Sequence, residues 1–262
     1  MTELLPMLLV AGGAFLAGAM NALAGGGTFF SFPALLAAGV PPITANASNT
    51  VALWPASLSS AWAYRQELAR HRQWAIALTL VAFCGGIGGG LLLLATSNAA
   101  FAQMIPWLLL VATALFAFSS QVGRLVQRIK GWLGQQTEKR NPGGPGGLLF
   151  QFIVAVYGGF FGAGQGILTL AALSIQGVTH IQELNALKNW IAAVTYTVSA
   201  LTFIIAGAIS WPHTLVMLIT ATLGGYAGAR LAQRLPAVWL KRLVIGVGAS
   251  LTLIYFYRTY AS

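Results

Sequence analysis

Charge is what this chain has least of. Only four of its 262 residues are Asp or Glu, and all charged residues make up 7% of it, where a soluble domain carries about a quarter. So few charges cannot make a water-facing surface. There is a single cysteine, Cys84, which excludes an internal disulfide and a thiolate metal cluster and reads as a small apolar helix residue. A P-loop, an HExxH pair, a Cys/His metal set and a serine elbow are also missing. Four scattered carboxylates are too few for paired acid–base work, so the sequence indicates no enzyme, no cofactor and no metal. The opening stretch MTELLPMLLVAGGAF lacks the basic start of a cleaved signal peptide and reads as a first membrane element.

What is present is apolar sequence. Hydrophobic residues make up 57% of the chain and its mean hydropathy is +0.77. The runs are continuously apolar rather than alternating, which predicts an all-α polytopic membrane protein and not a β-barrel. The net charge of +10 does not point to nucleic acid, because no soluble domain remains to carry it. The basic residues cluster beside the apolar runs, at Arg65, Arg70 and Arg72, at Arg124, Arg128, Lys130, Lys139 and Arg140, and at Arg230, Arg234, Lys241 and Arg242. That pattern marks cytoplasmic loops and predicts a bacterial inner-membrane location in contact with lipid.

Apolar windows predict six spanning helices at 44–64, 73–95, 102–123, 184–207, 212–233 and 238–257. Two further apolar regions, 4–40 and 147–178, are each cut by glycines, GGGT at 25–28 and GAGQG at 162–166. Each reads as a broken or re-entrant hairpin of two short helices. The hydrophilic segment KGWLGQQTEKRNPGGPGG reads as a loop. The predicted organisation is a first membrane repeat at 1–124, a cytoplasmic linker at 125–146 and a second repeat at 147–262.

Sliding one half over the other by 138–139 positions brings Gly85, Gly86 and Gly89 onto Gly224, Gly225 and Gly228, Gly39-Val40 onto Gly177-Val178, and Asn46 onto Asn185. The loop after residue 64 is basic and its counterpart GAISWPH is not; the loop TSNAAFAQ is uncharged and its counterpart at 234–242 is basic. Equivalent loops therefore fall on opposite sides, the signature of an inverted repeat found in many secondary transporters. With basic loops inside, each half is a hairpin plus three spanning helices and both termini lie outside.

The two breaks are the first candidate site. Broken backbone at membrane depth must face protein, water or ligand, and a fresh helix after each break turns its positive end toward it. Gly25, Gly26, Gly27 and Thr28 form one break, Gly164, Gln165 and Gly166 the other, and both suit an anion. The next helix of each half adds Asn46, Ser48, Asn49 and Thr50, and Asn185, Lys188 and Asn189, as capping or substrate-binding groups. Lys188 is an ionisable group within a membrane helix, which points to function, with snorkelling to the interface as the alternative. Glu183 and His180 are the nearest proton carriers if protons are the coupling ion. The glycines at 12, 13, 18, 85, 86, 89, 224, 225 and 228 read instead as helix-packing positions. His71 and His213 read as water-facing, and the tryptophans mostly as interface anchors.

The segment GGGTFFSFPALLAAGVPPITANASNT, repeated in degenerate form at 162–189, resembles the sulfite exporter TauE/SafE family, also called the toluene-sulfonate uptake permeases. The resemblance covers essentially the whole chain. It implies a secondary transporter of sulfite, sulfonates or related small organic anions. GAGQG departs from the family's run of glycines, which bears on the role of Gln165. An anion channel or a non-transporting scaffold remains open from the residues alone.

Overall fold

The computed structural model describes residues 4–23, 26–119, 121, 144–178, 180–232 and 237–260. Among these it holds eleven α-helices. They are α1 (Leu4–Leu23), α2 (Thr28–Ala37), α3 (Pro42–Ala63), α4 (Arg65–Arg70), α5 (Arg72–Ala95), α6 (Asn98–Ala117), α7 (Pro145–Phe160), α8 (Gln165–Ile175), α9 (Ile181–Ile205), α10 (Trp211–Ala232) and α11 (Ala237–Tyr260). The fold is all-helical, as the sequence predicts. All six long apolar windows are helices, and both glycine breaks interrupt helix where expected. Residues 122–143, which include most of the 125–146 linker, lie outside the described residues.

Local chemistry sets the boundaries. Pro42 and Pro145 sit at the first helical position, where a missing N–H costs nothing, and Ser97 caps α6 by accepting from the Ala100 N–H. The short helices end alike. Gly39 (φ 81°) and Gly177 (φ 94°) turn left-handed, Val40 N–H returns to Leu35 O, and Val178 N–H returns to Leu173 O. Each cap is sealed by a buried Val–Leu pair, which gives the aligned Gly-Val dipeptides a physical meaning.

Among the described residues, four segments are long and apolar enough to cross a membrane: Leu4–Asn21, Arg72–Ala95, Asn98–Ala117 and Lys241–Tyr260. Thus α1, expected as half of a hairpin, has spanning length by itself, whereas Pro145 holds α7 to 16 residues. Helices α3, α9 and α10 are as long but less apolar. In α3 and α9 part of the polar content is buried inside the bundle, including Asn46, Ser48, Asn49, Glu183, Thr195 and Ser199. The outward faces carry apolar side chains such as Leu80, Leu91, Ile219 and Leu253.

Sequence-equivalent helices make equivalent contacts. α1 packs along α10 as α7 packs along α5, α3 meets α10 as α9 meets α5, and α3–α9 and α6–α11 pair directly. Glycines bring these helices to backbone distance. A Cβ on Gly224 would fall on the Phe15 carbonyl and one on Gly85 against Ala155 and the Phe152 carbonyl; Gly228 and Gly89 likewise face Ala19 and Val156. Gly13, Gly18 and Gly86 are packing positions too, whereas Gly12 faces open space and Gly225 meets only ordinary contact.

Two ends of the bundle are defined by bonds. At one, Asn98 Oδ1 accepts from the Ile43 N–H at 3.0 Å and the Tyr260 hydroxyl donates to Gln103 O at 3.1 Å. At the other lie α4, the start of α7 tied by Gln176 Nε2 to Gly147 O (3.3 Å), and the start of α9. Trp54 and Trp190 are not interface anchors: their indole N–H groups donate across the halves to Thr197 (2.8 Å) and Thr79 (2.7 Å). Nor do the two loop histidines simply face water. His71 lies 3.4 Å from Glu67 and 3.3 Å from Glu183, and His213 Nδ1 lies 2.7 Å from the Ser210 hydroxyl.

Candidate functional site

At the first break Gly26 turns left-handed (φ 84°), a conformation natural to glycine. The N–H of Gly27, the residue before α2, donates to Asn21 Oδ1 at 2.8 Å. A Cβ on Gly27 would strike the Ala17 carbonyl and that amide. Gly25 lies outside the described residues. Thr28 is buried and accepts from Asn49 Nδ2 at 3.4 Å. Ser31 donates to Asn49 Oδ1 at 2.5 Å.

At the second break Gly162 and Gly164 both have φ 79°. Gln165 is 2% exposed. Its amide lies where a Cβ of Gly158 would be, and its Nε2 donates to Thr195 Oγ1 at 3.3 Å. The Tyr157 hydroxyl donates to Ala163 O at 2.6 Å and fixes the unwound turn.

The structure brings the two breaks together. The hydroxyl of Tyr196 on α9 lies 3.5 Å from the Cβ position of Gly162. Phe32 of α2 meets Phe161 edge to face at 5.6 Å. Asn46 of α3 donates its Nδ2 to Phe160 O at 2.8 Å, so the first half grips the residue that ends α7. Two side-chain oxygens in this region, Asn46 Oδ1 and Gln165 Oε1, are buried with no hydrogen-bond partner. An unmet buried acceptor costs about 1–3 kcal/mol, and a ligand or ordered water is the usual satisfier.

Lys188, one helical turn beyond Leu184 on α9, is half-buried, and its Cδ lies 3.6 Å from the Cβ position of Gly166 in the first turn of α8. No carboxylate pairs with it among the described residues. The Gly166 N–H takes no backbone partner there either, as the first turn of any helix leaves N–H groups open. The N–H groups of Gln165, Ile167 and Leu168 are taken by Gly162 O and Gly164 O, so the ammonium shares this helix end with the Gly166 N–H.

The other predicted residues are placed differently. Ser48 accepts from the Ser210 N–H at 2.9 Å and joins α3 to the approach to α10. Thr50 donates to Asn46 O at 2.9 Å within its own helix. Asn185 and Asn189 are half-buried on α9. Glu183 and His180 lie at the α4 end, lining a pocket of about 350 Å³ with Glu67, Arg70 and His71. Sequence reading missed Asn21, Ser31, Thr195 and Tyr196. Their signal was polarity inside apolar windows, but serine, threonine and tyrosine occur in membrane helices for many reasons, and only the fold aims these at the breaks.

An apolar exterior, helices packed through glycine and polar groups gathered at paired helix breaks define a class, the multi-pass helical membrane transporter. Within it, the chain belongs to the sulfite exporter TauE/SafE family, which residues 10–255 match. It is 27% identical over 250 residues to a "Probable membrane transporter protein" of Haemophilus influenzae, covering 93% of this chain and 91% of that one. It is 26% identical over 255 residues to the "Probable membrane transporter protein YfcA" of Escherichia coli K12, covering 94% and 88%. With the "Probable membrane transporter protein ORF9" of a Sinorhizobium species it shares 27% over 259 residues, covering 96% and 92%. No solved structure matches the chain.

Proposed function

We propose that the chain is a secondary transporter of a small anion, with sulfite, a sulfonate or a related sulfur-containing organic anion as substrate. The anion is held between the two breaks and exposed to each side in turn as the halves rock. The observation that carries this reading is Lys188, a half-buried ammonium with no acidic partner among the described residues, beside the first turn of α8. Helix N-termini attract negative charge and a membrane-buried cation is retained for a purpose. Asn46, Thr28 and Gln165 supply the polar wall.

The reciprocal packing of α1 on α10 and α7 on α5 supports a reading in which the halves are inverted copies. Arg65, Arg70 and Arg72 cluster at the α4 end, so that end faces the cytoplasm of a bacterial inner membrane and both termini face outward. The test is uptake of labelled sulfite into proteoliposomes loaded with unlabelled sulfite or methanesulfonate. Saturable counterflow is the expected result; conductance that never saturates would make the protein a channel, and no flux would end the reading.

A further inference from the structure

The amide of Asn46 has a fixed orientation. Its Nδ2 faces Phe160 O, a carbonyl that can only accept, so Oδ1 must be the atom turned the other way. That oxygen is buried, with Asn46 1% exposed, and has no partner. Gln165 is different. Its partner is the Thr195 hydroxyl, which can donate or accept, so either arm of the Gln165 amide can be left open. The region therefore presents one obligate acceptor, Asn46, held on the residue that ends α7, and one adaptable group, Gln165, which opens the helix whose next residue, Gly166, meets the Lys188 side chain.

A fully ionised oxyanion would set lone pairs against the Asn46 carbonyl. From this mismatch we infer that the transported species is a singly charged oxyanion that still carries an acidic hydrogen, donated to Asn46 Oδ1 while its negative oxygens face Lys188 and the first turn of α8. The inference rests on the anion-transporter reading and deepens it. The proton then crosses bound to the substrate, and coupling requires no titratable side chain at the breaks. That agrees with the position of Glu183 and His180, which line the pocket at the α4 end of the bundle. No bond is made or broken in the protein; the hydrogen leaves the anion only after release, in the receiving solution.

Hydrogen sulfite and methanesulfonate discriminate the two cases, since both are singly charged but only the first has the hydrogen. The full chain, in proteoliposomes holding a pH dye, is offered labelled sulfite across a pH series at fixed total concentration. Flux should follow the hydrogen sulfite fraction, falling about tenfold per pH unit on the alkaline side, with acidification of the lumen beyond that of protein-free vesicles. Methanesulfonate should compete about tenfold more weakly, the worth of one charge-assisted hydrogen bond. Asn46→Leu should bring the two probes within about twofold of each other, and Gln165→Met, which leaves the Phe160 contact alone, should narrow the gap less. Sulfite flux that ignores pH or rises with the dianion, equal competition by methanesulfonate, or an equal loss of both probes in Asn46→Leu would overturn the inference while leaving the transporter intact. If neither probe moves in the unaltered protein, the anion-transporter reading itself falls.

Discussion

Ser31 and Asn49 share a hydrogen bond of 2.5 Å that ties the short helix α2 to α3. Asn49 falls, 139 positions earlier, on Lys188. In one half the place beside the short helix is filled by an amide whose oxygen and nitrogen are both engaged, with Ser31 and Thr28. In the other it holds an ammonium with no carboxylate partner among the described residues. These two positions therefore differ in charge although the helices around them make matching contacts.

This asymmetry predicts opposite consequences for matched substitutions. Lys188→Gln should weaken half-saturation for labelled sulfite by about 10–100-fold, the loss of one charge-assisted contact, with little change in melting temperature. Asn49→Leu should do the reverse first, removing the bonds to Ser31 and Thr28 and lowering the melting temperature in detergent. Concentration-dependent uptake and thermal melting of both variants check the pair.

Glycine packing gives a second prediction. In Gly224→Val the new side chain meets the Phe15 backbone, which cannot yield as a flexible side chain could. Overpacking of this kind costs about 1–3 kcal/mol or more, and the variant should melt earlier or fail to leave the detergent-insoluble fraction. Gly85→Val should behave alike at the α5–α7 contact. Gly12→Ala, with nothing within 4 Å of its new Cβ, should be neutral.

These contacts also explain what could be read in advance. Helix spans and breaks were legible because continuous apolar runs and the residues Pro42, Gly39, Gly164 and Gly177 act locally. The packing role of Gly85 and Gly224 was legible because small residues at helical spacing have one common use. Pairwise choices were not. Nothing in the linear sequence assigns Ser48 to the Ser210 N–H, Asn46 to Phe160 O or Trp54 to Thr197, since each joins segments more than a hundred residues apart. Charge was misleading in one place: His71 is in a basic loop, yet it lies between Glu67 and the buried Glu183 and stacks on Trp74.

That contact supports a third prediction. His71 Nδ1 lies 3.3 Å from Glu183 Oε1, which links α4 to the first turn of α9. Groups in contact are non-additive, so a double-mutant cycle over His71→Ala and Glu183→Gln should return a coupling of about 0.5–3 kcal/mol. Transport by Glu183→Gln should persist, because the residue lines the pocket at the α4 end. A dead but well-folded Glu183→Gln would instead make this carboxylate part of the transport path.

The bundle also fixes which residues share a membrane side, independently of which side that is. The Tyr260 hydroxyl reaches Gln103 O, so the end of α11 lies with the start of α6; α5 spans 24 residues between the turn before α6 and α4, so the basic segment 65–72 lies opposite. In a Cys84→Ala background, single cysteines at Ala99 and Arg258 should react together with an impermeant maleimide on sealed right-side-out cells, while one at Ala69 reacts only after lysis. If Ala69 alone is labelled, the two-ended arrangement stands and the positive-inside assignment is reversed. If Ala99 and Arg258 report different sides, the α6–α11 pairing itself is wrong.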